Sequence, residues 1–221
     1  VAGVPRMNAS PGQPASVLTR RNFLAAAAAA AVAGPIASSA RAAETKPSRP
    51  QVQFGISSYS YWHFRPPKVT IEQVIDKTAA LGVAGVDVLH RQMDVDEQGP
   101  LDMELHAYCR KLKRHALMAG VALNCLSTHQ SFLSPNPAER HKWIAHTQKC
   151  IEMAYAMGIP CIRVNTGTWG TIPDFNELMK RRGEEPPPKG IKEADGFKWC
   201  IDSLEKCLLL AEDRGVVLAL E

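Results

Sequence analysis

Four times along the sequence an amphipathic run ends on a glycine that leads almost directly into a short apolar run: Leu81-Gly82, Ala119-Gly120, Met157-Gly158 and Arg214-Gly215. A glycine there supplies the left-handed stop of a helix. The apolar runs that follow are rich in Val, Ile and Leu, the pattern of strands buried on both faces. The chain is therefore read as strands over 52–57, 85–89, 121–126, 161–164 and 216–220, with helices over 70–81, 102–119, 137–157 and 193–214 between them. The helices are amphipathic, with Ile71, Val74, Ile75, Thr78 and Leu81 on one face of the first and Phe197, Cys200, Ile201, Leu204, Leu208 and Ala211 on one face of the last.

Loops that follow the helices are short, whereas those that follow the strands, 58–69, 90–101, 127–136 and 165–192, are long. That asymmetry is how a βα barrel is built, with function on the long-loop side. No Gly-x-Gly-x-x-Gly follows the first strand and no Walker-type loop is present, which sets aside the nucleotide-binding open sheets. The fold expected is an α/β (β/α)8 TIM barrel, of which these residues hold the first five strands and four helices. Because the sequence starts on Val1 and stops after the fifth strand, it is expected to be a piece of a longer protein, inactive by itself. The loop over 165–192 is expected to carry a short helix at 173–182 and to act as a lid, with Lys180, Arg181 and Arg182 as a solvated face.

The leading segment has another character. Thr19-Arg-Arg-Asn-Phe-Leu24, an Ala-rich stretch to Ile36 and Ala40-Arg41-Ala42 read as a twin-arginine export signal with a small-x-small cleavage site over 1–42. Residues 43–51 are a polar linker and 52–221 the barrel part. Export to the periplasm and a partnership with the twin-arginine machinery are expected. The signal holds Arg6, Arg20, Arg21 and Arg41 and no acidic residue, so the formal charge of +4 belongs to it and the remainder is near neutral. A pI of about 8.8 is thus no argument for nucleic acid, which is not expected as a partner. None of the six cysteines has zinc-type close spacing, and they are read as small apolar core residues. His141, His146, His106, His115 and His63 are read as structural or exposed.

The reacting groups of such a barrel stand at the carboxyl ends of its strands. Glu221 ends the fifth strand and is a candidate metal ligand or proton carrier, or else the start of a solvated loop. His90 and His129 follow the second and third strands; each could hold a substrate hydroxyl, bind a divalent metal or satisfy a loop carbonyl, and substrate contact is put first. Asn165 could orient a hydroxyl or cap its loop. Tyr59, Tyr61, Trp62, Phe64 and Trp169 lie in the long loops, where flat rings pack on a sugar or cover the mouth.

From Gln51 onward the sequence resembles the xylose isomerase-like barrels, a family that includes sugar and sugar-phosphate isomerases and epimerases and the related apurinic-site endonucleases. The likeness rests on Gly85-Val-Asp-Val-Leu-His90, Leu126-Ser-Thr-His129, Gly158-Ile-Pro-Cys-Ile-Arg-Val-Asn165 and, most of all, Val217-Leu-Ala-Leu-Glu221. It implies that Glu221 binds a divalent metal (manganese, magnesium, cobalt or zinc) and shuttles a proton next to a substrate carbonyl. The partner implied is a small sugar or sugar derivative, with self-association left open. Metal-dependent phosphodiester hydrolysis through His90 and His129, a non-catalytic carbohydrate-binding barrel, and a lyase on an oxidised sugar are the alternatives.

Overall fold

The computed structural model describes residues 52–62 and 64–221; the export signal and linker expected before them, and His63, lie outside the described residues. Strands β1 (Gly55–Ser57), β2 (Gly85–Leu89), β3 (Ala122–Ser127), β4 (Cys161–Val164) and β5 (Val217–Leu220) form one parallel sheet in sequence order. Helices α1 (Ile71–Ala80), α2 (Met103–Ala119), α3 (Pro137–Met157) and α5 (Glu193–Arg214) form the crossovers, and the short α4 (Phe175–Lys180) lies within the last long loop. This is a partial α/β barrel. Among the described residues no helix is long and apolar enough to cross a membrane.

Local chemistry sets the helix ends. Thr70 and Gln73 form a reciprocal capping box on α1, Asp102 accepts from Leu105 N on α2, and Asn136 caps α3 ahead of Pro137. At the far ends Gly120, Gly158 and Gly215 take left-handed φ of 70°, 76° and 63°, as the sequence required.

The core lies between sheet and helices. Val86, Val88, Leu126, Ile162 and Val164 point outward from the strands and are fully buried against α1, α2 and α3. Each such side chain contributes roughly 1.5–3 kcal/mol. The register slips between Val86 and Asp87, because Val86 pairs Leu123 while Asp87 pairs Cys125. That bulge lets Leu123 and Leu126, three residues apart, both face the helices and leaves Asp87 and Ser127 on the inner face. All six cysteines are free thiols, four buried and Cys125 and Cys161 half-buried.

Three expectations are corrected. The first strand begins at Gly55, since Val52 and Phe54 are 78% and 74% exposed and pairing to β2 starts at Gly55↔Gly85. An apolar run becomes strand only where a neighbour completes its ladder. On α5 the buried line runs through Cys200, Ser203, Cys207 and Ala211, whereas Phe197, Ile201 and Leu208 are exposed. The small residues of that line meet α3, with Cys207 Sγ 3.9 Å from Ile144 O. Leu81 also leaves the buried face of α1, because it is the C-cap and stands exposed.

Candidate active site

Inner-face side chains of neighbouring strands meet below the long loops. Ser57 Oγ donates to Asp87 Oδ2 at 2.8 Å and Ser127 Oγ to Asp87 Oδ1 at 2.7 Å, so one carboxylate ties β1, β2 and β3 together. Such bonds to a charged acceptor are each worth about 1.5–3 kcal/mol. Asp87 had no part in the sequence reading of the site, and its role here is to fix the strands that carry it.

Above this layer, at the carboxyl ends of β3, β4 and β5, lies a cavity of about 460 Å³. His129, Asn165 and Glu221 are on its wall together with Arg91, Arg163, Gln130 and Trp143. Three of the residues singled out from sequence thus converge. The ladder continues one residue beyond β5, with Glu221 N donating to Val164 O at 3.1 Å, which fixes where the Glu221 side chain leaves the sheet. Its Oε2 stands 2.7 Å from Arg163 Nη1, and its side chain remains 62% exposed.

A chain of hydrogen bonds holds the wall. Thr128 Oγ1 donates to Arg163 O at 2.6 Å, Gln130 Nε2 donates to Thr128 Oγ1 at 2.5 Å, and Gln130 Oε1 accepts from Asn165 N at 3.2 Å. Three polar atoms of wall residues are buried without a protein partner: His129 Nδ1, Asn165 Oδ1 and Arg163 Nε. Orphaned buried polar atoms are costly and uncommon, so three on residues of one cavity make it a candidate binding site. Burial, and then the charges of Arg91 and Arg163, push His129 down to about 4 against the opposing pull of Glu221. At neutral pH His129 is an uncharged imidazole, suited to exchanging a hydrogen bond with a hydroxyl.

Gly167 closes one side. Its φ is +107°, and a Cβ there would stand 2.7 Å from Ser131 Cα, so only glycine lets the two wall segments approach. Thr168, which lines the same cavity, and Trp169, which does not, both border a neighbouring cavity of about 780 Å³ whose far wall is 183–187 of the long loop. That loop is held by Glu185, which accepts from Gly170 N at 3.0 Å and Ile172 N at 3.3 Å. Its inner helix is shorter than expected, since Asp174 caps it and Arg182 has φ 58°. Trp169 packs edge-on against Trp199, with centroids 6.3 Å apart.

Three expected contacts stand elsewhere, Trp169 at the neighbouring cavity and not on the wall of the Glu221 cavity. Tyr59 is 44% exposed, its ring 5.6 Å from that of Phe64, and it does not line the Glu221 cavity. His90 is 1% exposed and does not line that cavity: the 3₁₀ turn His90–Gln92 carries its ring toward α3, where it stacks on His146 at 5.4 Å. Its sequence neighbour Arg91 takes the place at the wall. His146 and Cys150, read from sequence as structural, form a buried cluster with His90. Their i,i+4 spacing on a helix was the available signal.

A scan of protein-family models matches the xylose isomerase-like TIM barrel over residues 75–221, more than half of the chain. A search of curated proteins returns no significant match. Among solved structures, D-psicose 3-epimerase from Clostridium cellulolyticum H10, crystallised with D-tagatose, is 19% identical with a TM-score of 0.56 over 76% of this chain and 52% of that one. The 3-keto-D-glucoside 4-epimerase of E. coli is 16% identical with a TM-score of 0.53, covering 77% of this chain and 56% of the other. A further D-psicose 3-epimerase structure, determined in the presence of D-fructose, is 17% identical with a TM-score of 0.54 over 76% and 51%. The chain spans about half the length of these proteins. At such identities the likeness shows the fold.

Proposed function

This chain belongs to the xylose isomerase-like TIM barrel family, and we propose that it furnishes part of the active-site mouth of a metal-dependent sugar or sugar-phosphate isomerase or epimerase. The observation that carries the reading is the Glu221 carboxylate, at the carboxyl end of β5 in one cavity with the uncharged His129 and with Asn165. Solved structures of this fold named as epimerases support the reaction class.

Glu221 takes the proton from the carbon next to the substrate carbonyl. As that C–H bond breaks, its electron pair forms the carbon–carbon double bond of an enediolate and the carbonyl π pair moves onto oxygen. The proton rests on a Glu221 oxygen, and its return to carbon completes the exchange; positioned base action of this kind contributes roughly 10² to 10⁴ in rate. Arg163 holds the carboxylate in place through Nη1, while His129 and Asn165 orient substrate hydroxyls. Return of the proton to the former carbonyl carbon, with the neighbouring hydroxyl proton passing to the former carbonyl oxygen, gives an isomerase; delivery of a proton by a second acid to the opposite face of the same carbon gives an epimerase.

The residues present fit a divalent cation in donor type: Glu221 offers an exposed carboxylate, and the wall holds an unpaired imidazole nitrogen and an unpaired amide oxygen. Glu221 would be its ligand from this chain. When bound, such an ion supplies Lewis-acid stabilisation of the charge that develops on the carbonyl oxygen. Phosphodiester hydrolysis, the alternative, asks for His90 and His129 on one ion, and His90 turns instead to His146 and Cys150.

We further propose that the product is exported by the twin-arginine route and works in the periplasm. Replacing Arg20 and Arg21 by lysine should leave it in the cytoplasm on fractionation; unchanged export would refute this. The chemistry is tested by incubating the full-length gene product with ketohexoses, pentoses and their phosphates in deuterated water, with and without divalent metal. Metal-dependent deuterium uptake next to the carbonyl is expected.

A further inference from the structure

Outside the Glu221 cavity, three side chains converge in the layer between the sheet and α3. His90 comes from the turn after β2, and His146 and Cys150 lie one helical turn apart on α3; they are 1%, 6% and 0% exposed. Cys150 Sγ is 3.6 Å from His90 Nδ1 and 3.6 Å from His146 Nε2. All three candidate ligand atoms lie within 4.8 Å of one another.

Protein hydrogen bonding satisfies this cluster poorly. A thiol has one proton and is a weak donor, so it serves at most one of the two imidazoles, and sulfur is a weak acceptor for the other. His90 Nε2, on the far side of the ring, is buried and has no partner. Groups of this polarity are not needed to fill an apolar core, and a leucine or methionine would fill it at lower cost. The two sulfur–nitrogen separations match a different arrangement. With zinc–sulfur bonds of about 2.3 Å and zinc–nitrogen bonds of about 2.0–2.1 Å at tetrahedral angles, sulfur and nitrogen stand about 3.6 Å apart. Both sulfur–nitrogen distances here have that value. Burial holds both imidazoles uncharged, His90 at about 3 and His146 at about 4, which is the form that ligates.

We propose that His90, His146 and Cys150 are a metal site for a borderline transition-metal ion of the zinc class, distinct from the one assigned to Glu221. One thiolate and two imidazoles are the donor set such an ion favours over magnesium or manganese. As the metal–sulfur bond forms, the Cys150 thiol gives its proton to solvent. His146 borders a surface cavity of about 530 Å³ bounded by Gly99, Pro100, Leu101 and Lys149, the side from which an ion would approach. The Lys149 ammonium is turned onto the carbonyls of Glu97 and Gly99, at 2.7 Å and 2.8 Å. The ion pins the turn after β2 to α3. Arg91, the next residue, and Trp143, packed edge-on against His146, are both on the wall of the Glu221 cavity, so the site stiffens that wall.

The test is anaerobic titration of the reduced, chelator-treated full-length protein with cobalt(II) alone. One equivalent should give the thiolate-to-cobalt charge-transfer band and the intense visible absorption of four-coordinate cobalt, with about one proton released per ion and displacement by zinc. Both signals should vanish in Cys150→Ser, weaken at least tenfold in affinity in His146→Asn, and persist in Cys200→Ser and Glu221→Gln. Persistence in Glu221→Gln separates this site from the catalytic proposal. Absence of the charge-transfer band in folded wild type overturns the site, as does an unchanged spectrum in Cys150→Ser. Should Cys150→Ser fail to fold, an unchanged spectrum in His146→Asn overturns it equally.

Discussion

Arg163 Nη1 lies 2.7 Å from Glu221 Oε2, so the acidic side chain on the cavity wall is held by a guanidinium of the adjacent strand. The pair is partly exposed, at 30% and 62%, and its worth to stability is under about 1 kcal/mol. Its effect is orientation. Arg163→Gln should shift Tm by only a few degrees yet lower kcat by about tenfold to a hundredfold with little change in KM, the scale of a misplaced reacting group. Arg163→Lys should restore part of the loss. A variant with full kcat would show that the guanidinium does not position Glu221.

Gly167→Ala should destabilise the protein and weaken substrate binding together. Its φ of +107° and the 2.7 Å approach of a Cβ to Ser131 Cα leave no room for a methyl group. Strain of this kind costs roughly 1–3 kcal/mol. Gly183→Ala is the control: φ is +83° but nothing lies within 4 Å, so it should cost less. Thermal unfolding of both variants checks the order, and equal Tm values would contradict it.

Asp87→Asn should cost about 1–3 kcal/mol, because the amide keeps one acceptor for two serine hydroxyls that now share a carboxylate. Denaturant unfolding measures it. Ser57→Ala and Ser127→Ala should each cost less than the Asp87 change, and a neutral Asp87→Asn would show that the three strands are not tied through this carboxylate.

Metal-free protein should lose stability as pH falls below about 6.5, earlier than carboxylate titration alone would cause. Burial lowers His90 to about 3 and His146 to about 4, with each ring also pushed down by the other groups around it: Lys149, Arg91 and His129 for both, His146 for His90, and Lys142 for His146. Between those values and 6.5 the unfolded chain binds protons that the folded chain does not. Stability is therefore full above pH 6.5 and declines toward pH 4, by up to about 1.4 kcal/mol per pH unit for each ring. Chemical denaturation from pH 7.5 to 4.5 tests the sign, and His146→Gln should flatten the slope.

Sequence carried most of the fold because its signals are local: glycine stops and apolar periodicity placed β2, α3, β4 and α5 where the structure has them. It failed where a neighbour decides. Residue pairing with β2 starts only at Gly55, although Phe54 O accepts from Ala84 N, and the buried line on α5 runs through small residues that meet α3. In the site, His129, Asn165 and Glu221 were legible because strand ends in a barrel converge. His90 was not, since a single 3₁₀ turn sends its ring away from the mouth, and its partners lie about 60 residues on, a distance no local pattern spans.

The most direct test of the account compares wild type with Glu221→Gln in the full-length gene product, following deuterium uptake next to the carbonyl of an active sugar in the presence of metal. The account predicts uptake in wild type and a loss of roughly 10² to 10⁴ in the variant, with thermal unfolding of both proteins confirming that the variant is folded. Undiminished uptake in Glu221→Gln would contradict the assignment of the proton to Glu221.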